Sequence, residues 1–134
     1  MHRITAFSAA LLPMIVLGCG GDGGDINQPG ERPANSVSIV ARAETKGTSA
    51  FSPNPLSVAA TGTVHWYNDD KTAAGGPYGG SNGTSHNITA DDLSFTSGNL
   101  APDLTFEHTF TAPGTYPYHC SIHPTMKGTI TVTE

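Results

Sequence analysis

The chain has 134 residues, a length that fits one domain, and it carries a formal net charge of −5. All eleven acidic residues follow position 19, together with five of the six basic ones, so this part of the chain carries −6. The acidic balance argues against a nucleic-acid partner, because phosphate binding needs a basic face, and it fits a partner with a positive patch.

The first eighteen residues have the pattern of an export signal. Arg3 supplies a positive start, and the mostly apolar stretch of about 14 residues that follows is too short for a typical membrane-spanning helix. The stretch ends in Val-Leu-Gly-Cys19, which resembles a bacterial lipoprotein signal, in which the cysteine becomes the lipidated first residue. We therefore predict a signal peptide over residues 1–18 and an exported protein, periplasmic or at the outer surface, anchored to a membrane by lipid on Cys19. A plain secretory signal with a chance cysteine is the alternative.

Residues 19–36 are predicted to form a flexible tether. They are rich in Gly, Asp, Asn and Pro and show no apolar periodicity. A flexible segment of this length has a mean reach of roughly 20–25 Å. Acylation of Cys19 would leave Cys120 as a lone thiol in an oxidising compartment, a situation that metal ligation would explain.

Residues 37–134 have the pattern of one β-rich domain. Short runs of Thr, Val, Ile, Phe and Tyr alternate with polar residues, and Gly, Pro and Asn separate the runs. Seven or eight short antiparallel strands predict an all-β fold, a Greek-key β-sandwich or barrel. The strands are predicted near residues 37–43, 51 together with 56–59, 63–68, 86–90, 93–96, 104–111, 115–120 and 129–132.

Side-chain parity within the strands assigns their faces. In the strand over 63–68, Trp66 faces the interior and His65 faces outward. In the strand over 115–120, Tyr118 and Cys120 share the inner face and His119 opposes them. The thiol of Cys120 is therefore predicted to lie at the interior end of its strand.

The run Tyr-Pro-Tyr-His-Cys-Ser-Ile-His-Pro-Thr-Met spaces three metal-binding side chains three residues apart, namely Cys120, His123 and Met126. Thiolate and thioether are soft ligands and suit copper, whereas structural zinc sites normally use Cys and His without Met. A trigonal site of one Cys and two His with a weak axial Met is an electron-transfer arrangement, and it requires a second histidine. We predict His86, within Ser-His-Asn-Ile-Thr, as that ligand, with His65 as the substitute, and one type 1 copper per chain.

These motifs resemble those of the blue copper proteins, or cupredoxins, and the short Cys-x-x-His-x-x-Met loop is most similar to amicyanin and the plastocyanin-like group. The Tyr-rich strand before the loop and the Lys-Gly and Thr/Val strand after it belong to the same resemblance. The resemblance implies that Asn87 donates its backbone N–H to the sulfur of Cys120 and that its side chain binds the backbone near Ser121. It also implies that electrons leave through the exposed edge of His123. The Gly-rich stretch over residues 69–85 departs from the resemblance, because it is longer than in amicyanin-like relatives, and it predicts a flap beside the metal.

The predicted function is that of a monomeric one-electron carrier and not an enzyme. Its partner would be a redox protein such as a c-type cytochrome or a copper-accepting enzyme. One alternative is a periplasmic copper-handling protein, either a chaperone or a store. Another is a copper redox enzyme in which His119, beside Cys120, serves a second copper with help from His65 and His108. Such enzymes resemble two or more domains of this kind, and this chain has one.

Overall fold

The computed structural model of the protein describes residues 31–71 and 83–134. The predicted signal peptide, Cys19 and most of the predicted tether lie outside these residues, as does most of the predicted flap. The part from Arg32 to Glu134 forms one compact unit. No helix within the described ranges is long and apolar enough to cross a membrane.

Eight strands within the described residues form two four-stranded sheets. One sheet has the order β2-β1-β4-β6 and the other has the order β3-β8-β7-β5. The predicted all-β sandwich is therefore confirmed. The strands are β1 (Ser36–Ile39), β2 (Phe51–Ser52), β3 (Leu56–Ala59), β4 (Thr63–Asn68), β5 (Thr89–Ala90), β6 (Thr105–Thr109), β7 (Gly114–His119) and β8 (Lys127–Thr133).

The expectation that the strands are all antiparallel is wrong, because both sheets are mixed. Strand β1 runs parallel to β4, with Ser36 opposite His65, and β3 runs parallel to β8, with Leu56 opposite Ile130. Both parallel partners are far apart in sequence, so each pair needs a connection that passes across the sandwich. Alternation of apolar and polar residues marks the faces of a strand but carries no information on its direction.

Two predicted strands are also wrong in extent. The strand expected over 86–90 is reduced to β5. The one expected over 93–96 is absent as a strand: a turn occupies residues 91–94, in which Leu93 has a positive φ of 63°, and Thr96 forms a single antiparallel bridge with Thr89. The N–H of Leu93 bonds to the carbonyl of Ala90, and the carboxylate of Asp92 accepts the N–H of Ser94. Side-chain bonding by an Asp to the backbone two residues ahead is a turn-forming interaction, and it prevails over the apolar alternation here.

The core lies between the sheets, and Trp66 is at its centre. Burial alternates along β4, with the odd-numbered positions partly exposed and Trp66 fully buried, as the parity argument predicts. The Trp66 ring meets Tyr118 of the opposite sheet edge-on at 5.6 Å and also packs on Phe106 at 5.6 Å. The aromatic contacts therefore join both sheets at Tyr118 of β7, two residues before Cys120.

The second residue of β8 has no room for a side chain. Gly128 lies opposite Tyr118 in the β7–β8 pair, and a Cβ at this position would come within 2.2 Å of the Tyr118 ring. The Tyr118 ring is buried and packs edge-on against Phe51, so it has no room to move. The Lys-Gly pair after the loop therefore allows close packing of an aromatic side chain against the backbone.

Candidate metal centre

The predicted ligands converge from two segments at one end of the sandwich. Cys120 follows the last residue of β7, and His123 and Met126 lie in the short connection to β8. Backbone bonds close that connection, from Cys120 N–H to the Met126 carbonyl at 3.1 Å and from Met126 N–H to the His123 carbonyl at 2.9 Å. His86 precedes β5 and exchanges backbone hydrogen bonds with Leu100 at 2.7 and 3.1 Å. Each segment is thus held in place by its own backbone bonds.

Three donor atoms form a compact triangle at this end of the sandwich. The Sγ of Cys120 lies 3.9 Å from Nδ1 of His86 and 3.8 Å from Nδ1 of His123, and the two Nδ1 atoms are 3.2 Å apart. A point equidistant from all three lies about 2.1 Å from each, which agrees with the ~2.0–2.3 Å typical of transition-metal bonds to imidazole nitrogen and thiolate sulfur. The triangle therefore has the size needed to hold one metal ion.

Met126 completes the set of side chains that the sequence singles out. It is fully buried and belongs to the same apolar cluster as Cys120. A thioether that is shielded from water beside a thiolate and two imidazoles fits copper, because soft ligands select this metal over calcium, magnesium or manganese. The axial role of Met126 remains a prediction.

Asn87 connects the two ligand segments. Its backbone N–H points at the Sγ of Cys120 at 3.4 Å. Its side-chain carbonyl accepts the N–H of Ser121 at 2.7 Å, and its amide donates to the Ser121 hydroxyl at 2.7 Å. The geometry is the one that the resemblance implies for Asn87. These bonds fix the spacing between the segment of His86 and the segment of Cys120.

Replacing Asn87 by Ala should destabilise the protein by about 1–3 kcal/mol, because the Ser121 N–H would be left without its acceptor in a partly buried site. For a domain of this size each kcal/mol corresponds to a fall in melting temperature of about 4–8 °C. Thermal unfolding of the copper-free protein measures the effect. Ser121→Ala is the matched control with a smaller expected loss, because it removes only the hydroxyl. Equal melting temperatures for Asn87→Ala and the unchanged protein would show that the bonds between Asn87 and Ser121 do not stabilise the fold.

The surroundings of Cys120 favour its thiolate form and lower the pKa of the thiol. Burial opposes the charge, but hydrogen bonds from His86, from the backbone N–H of Asn87 and from His123 outweigh it and lower the pKa of Cys120 to about 6. Burial likewise opposes a charge on His86, but the Cys120 sulfur and the Asp70 carboxylate raise its pKa. Metal binds the thiolate and not the thiol. Because Cys120 is already ionised near neutral pH, little free energy is spent on removing its proton when the metal binds.

The copper-free protein should therefore show a thiolate at neutral pH. We expect its far-ultraviolet thiolate absorbance to titrate with a midpoint near pH 6, against the ordinary value of 9.0. Since the folded pKa lies below the unfolded one, this group stabilises the fold above pH 9.0, and its contribution is lost as the pH falls from there to about 6. Cys120→Ser, which lacks the thiol, gives the baseline, and a midpoint near 9 would contradict the expectation.

The other histidines of the described residues have different partners. His119 bonds through Nδ1 to a carboxylate oxygen of Asp91 at 2.6 Å, and His65 lies 3.4 Å from Glu107. His108 stacks on an aromatic ring, and burial lowers its pKa. In residues 31–71 and 83–134, the clusters able to hold a metal are His86-Cys120-His123 and a second one that reuses His86. His65 therefore does not take the place of His86.

The sequence reasoning missed Asp70. It treated this residue as part of an irregular stretch, but the carboxylate of Asp70 is buried and lies 2.8 Å from Nε2 of His86. Asp70 is sixteen positions from His86, and an acidic residue in a Gly-rich segment carries no local sign of such a contact. Only the fold brings the two side chains together.

A two-sheet sandwich that holds a thiolate and two imidazoles at one end, beside a buried thioether, defines a mononuclear copper protein. A profile of the cupredoxin-like domain matches residues 27–132. The chain belongs to the cupredoxin-like family, as the sequence motifs predict, and the donor set fits a type 1 copper site.

Solved structures support the same conclusion. The chain is 30% identical to a purple cupredoxin from Nitrosopumilus maritimus, with a TM-score of 0.60 over 73% of this chain and 98% of that one. It is 26% identical to the reduced Cu(I) form of an amicyanin variant, with a TM-score of 0.55 over 77% of this chain and 85% of that one. It is also 30% identical to a copper-containing nitrite reductase from Thermus scotoductus SA-01, with a TM-score of 0.57, but the match covers 78% of this chain and 23% of that one.

Proposed function

We propose that this protein is a one-electron carrier that shuttles electrons between redox partners at the outer face of a bacterial membrane. The observation that carries the proposal is the triangle of His86, Cys120 and His123, held by hydrogen-bonded backbone on both sides. When bound, copper supplies the Cu(I)/Cu(II) couple. The scaffold holds the donor atoms in one arrangement, and a site that changes little in geometry between two oxidation states exchanges electrons quickly.

His123 provides the route to the surface. It is partly exposed, unlike His86 and Cys120, which are fully buried. The residues that flank it, Ile122 and Pro124, are exposed, and Ile122 keeps 43% of its surface accessible. An apolar surface around a single exposed ligand edge suits the small, short-lived contacts of electron-transfer partners.

A second exposed apolar residue lies at the same end of the sandwich. Leu104 keeps 50% of its surface accessible, and its carbonyl accepts the N–H of Asn68 at the end of β4. Asn68 also binds the carbonyl of Leu100, which pairs with His86. Leu104 is therefore linked through Asn68 and Leu100 to the backbone of His86 and lies on the His86 side of the site.

The partner is proposed to be a redox protein with a basic docking face, such as a c-type cytochrome or a copper-accepting enzyme. The formal charge of −5 favours such a partner through long-range attraction, which raises the association rate at low salt. We further propose Met126 as the axial ligand and lipid on Cys19 as the membrane anchor, with the domain acting as a monomer. The lipoprotein pattern at Cys19 and the burial of Met126 support these assignments.

The rate of electron exchange tests the proposed docking surface. Ile122→Lys should slow oxidation of the reduced protein by a basic c-type cytochrome about tenfold, roughly 1.4 kcal/mol, because it places a positive charge in the apolar contact area. Leu93→Lys is the matched control, because Leu93 is 78% exposed and lies past β5 on the side away from the ligands. Stopped-flow measurements at two ionic strengths give the rates, and equal rates for both variants would refute the surface.

An enzymatic role has one observation in its favour, the similarity to part of a nitrite reductase. In the described residues, however, His119 bonds to Asp91 and takes part in none of the metal-binding clusters. A carrier is therefore the better proposal. Two coppers per chain, or turnover of nitrite, would restore the enzymatic alternative.

A copper-handling role would require ready metal exchange. The donors here lie on segments that Asn87 ties together, and the thiolate is fully buried. Such a site favours retention of the metal over exchange. Rapid copper transfer to an apo-acceptor without electron transfer would favour a chaperone or a store instead.

A further inference from the structure

The ring of His86 is held from both sides. Its Nδ1 faces Cys120 and His123, and its Nε2 lies 2.8 Å from a carboxylate oxygen of Asp70. Both His86 and Asp70 are buried, so water does not compete for this contact. A neutral imidazole carries one proton, and a carboxylate beside Nε2 keeps that proton on Nε2.

The carboxylate of Asp70 is itself held by the main chain. One oxygen accepts the N–H of Arg42 at 2.7 Å, and the oxygen that faces His86 also accepts the N–H of Ala43 at 3.2 Å. Burial opposes ionisation of Asp70, but His86 and these two N–H groups lower its pKa. Both carboxylate oxygens of Asp70 therefore face hydrogen-bond donors, so this position requires a side chain with two acceptors.

The same network closes the base of the insertion that separates β4 from His86. The N–H of Thr84 bonds to the Asp70 carbonyl at 3.1 Å, and Lys71 forms an antiparallel bridge with Gly83. The side-chain amide of Asn68 bonds to the carbonyls of Thr84 and Leu100 at 2.9 and 2.8 Å. Residues on both sides of positions 72–82 are therefore fixed relative to each other, whatever the length of the segment between them.

We propose that Asp70 is a positioning residue for the copper site: it holds the His86 ring in the tautomer with the proton on Nε2, so that the lone pair of Nδ1 points at the metal position. The proposal rests on the proposed copper site. It explains how a ligand histidine keeps its orientation although a long insertion precedes it. Partners of this kind typically change metal affinity by about 10–100-fold when they are removed.

Asp70→Asn preserves the shape of the side chain and removes one acceptor. If the amide oxygen stays on Arg42, the NH2 group faces Nε2 of His86 and drives the ring proton to Nδ1, where it blocks the metal. If the amide is reversed, the NH2 group faces the Arg42 N–H and that bond is lost. The first orientation opposes the Nε2–H tautomer and also turns the NH2 group toward the N–H of Ala43, whereas the second keeps the tautomer but loses the Arg42 bond. We therefore expect a mixture of the two tautomers in Asp70→Asn.

The experiment compares the unchanged protein, Asp70→Asn and Asp69→Asn. Asp69 is the matched control, because its carboxylate bonds to Arg32 and Ser38 and not to His86. Two quantities are measured: Cu(II) affinity by chelator competition, and the His86 tautomer by nitrogen-15 NMR of the copper-free protein at a pH where the ring is neutral. We expect Asp70→Asn to bind Cu(II) about 10–100-fold more weakly and to lose the pure Nε2–H tautomer, while Asp69→Asn changes neither.

Two results would overturn the proposal. One is an Nδ1–H tautomer of His86 in the copper-free unchanged protein, and this measurement does not depend on whether a variant folds. The other is an Asp70→Asn protein that keeps the Nε2–H tautomer and binds Cu(II) as tightly as Asp69→Asn. If the unchanged protein binds no copper at all, the proposed function fails, and the NMR result alone still decides whether Asp70 sets the tautomer.

Discussion

Replacing Cys120 by Ser should abolish the intense visible absorption of the copper-loaded protein. That absorption requires a thiolate bound to Cu(II), and Cys120 supplies the single sulfur of the donor triangle. A serine side chain has nearly the same shape as a cysteine side chain, so the fold should survive the substitution. The visible spectrum of each protein, recorded after copper loading and removal of excess metal, measures the effect.

His119→Gln is the matched control for this substitution. His119 neighbours Cys120 in sequence but bonds to Asp91, so its loss should leave the visible band in place. A band that survives in Cys120→Ser would place the metal elsewhere. A band that disappears in His119→Gln would show that the thiolate-bound copper also depends on His119, which contradicts the assignment of this residue to Asp91 alone.

Replacing Trp66 by Ala should destabilise the domain by about 3–5 kcal/mol, the usual cost of deleting a fully buried aromatic side chain. This is a large share of the roughly 5–15 kcal/mol that holds a typical domain together. Trp66 contacts Tyr118, Phe106, Phe95 and Phe110, and its loss would leave a cavity between the two sheets. Denaturant unfolding of the copper-free protein gives the free energy of unfolding directly.

The matched control is Leu93→Ala, because Leu93 is also a large apolar residue but is mostly exposed. It should change the free energy of unfolding by no more than about 0.5 kcal/mol. Copper loading should recover part of the stability of Trp66→Ala, because metal that binds only the folded state stabilises it. A loss below about 1 kcal/mol in Trp66→Ala would show that the core does not depend on this ring.

The ligand loop could be predicted from the sequence because its information is local. Cys120, His123 and Met126 lie within seven consecutive residues, and their spacing survives any error in the surrounding strands. The position of His86 followed from its neighbour Asn87, since the pair carries a recognisable motif. Residue parity also placed Trp66 and Tyr118 in the core correctly, because period-two alternation depends on the strand alone.

What the sequence did not reveal depends on contacts between distant segments. The parallel pairing of β1 with β4 follows from how the chain crosses the sandwich, and no single strand encodes it. The contact between Asp70 and His86 spans sixteen positions and an insertion. Arg32 likewise binds Asp69 across 37 positions and lies 4.1 Å from the centre of the Tyr67 ring, which anchors the start of the domain. Nothing near Arg32 or Asp70 in the sequence points to these partners.

X-ray absorption at the copper edge of the loaded protein tests the central claim most directly, because it reports the atoms bound to the metal. With one copper per chain, the account predicts one short copper–sulfur bond from Cys120 and two copper–nitrogen bonds from His86 and His123. A copper surrounded only by nitrogen and oxygen would show that the thiolate and the imidazoles do not share one ion, and the assignment as an electron carrier would then fall.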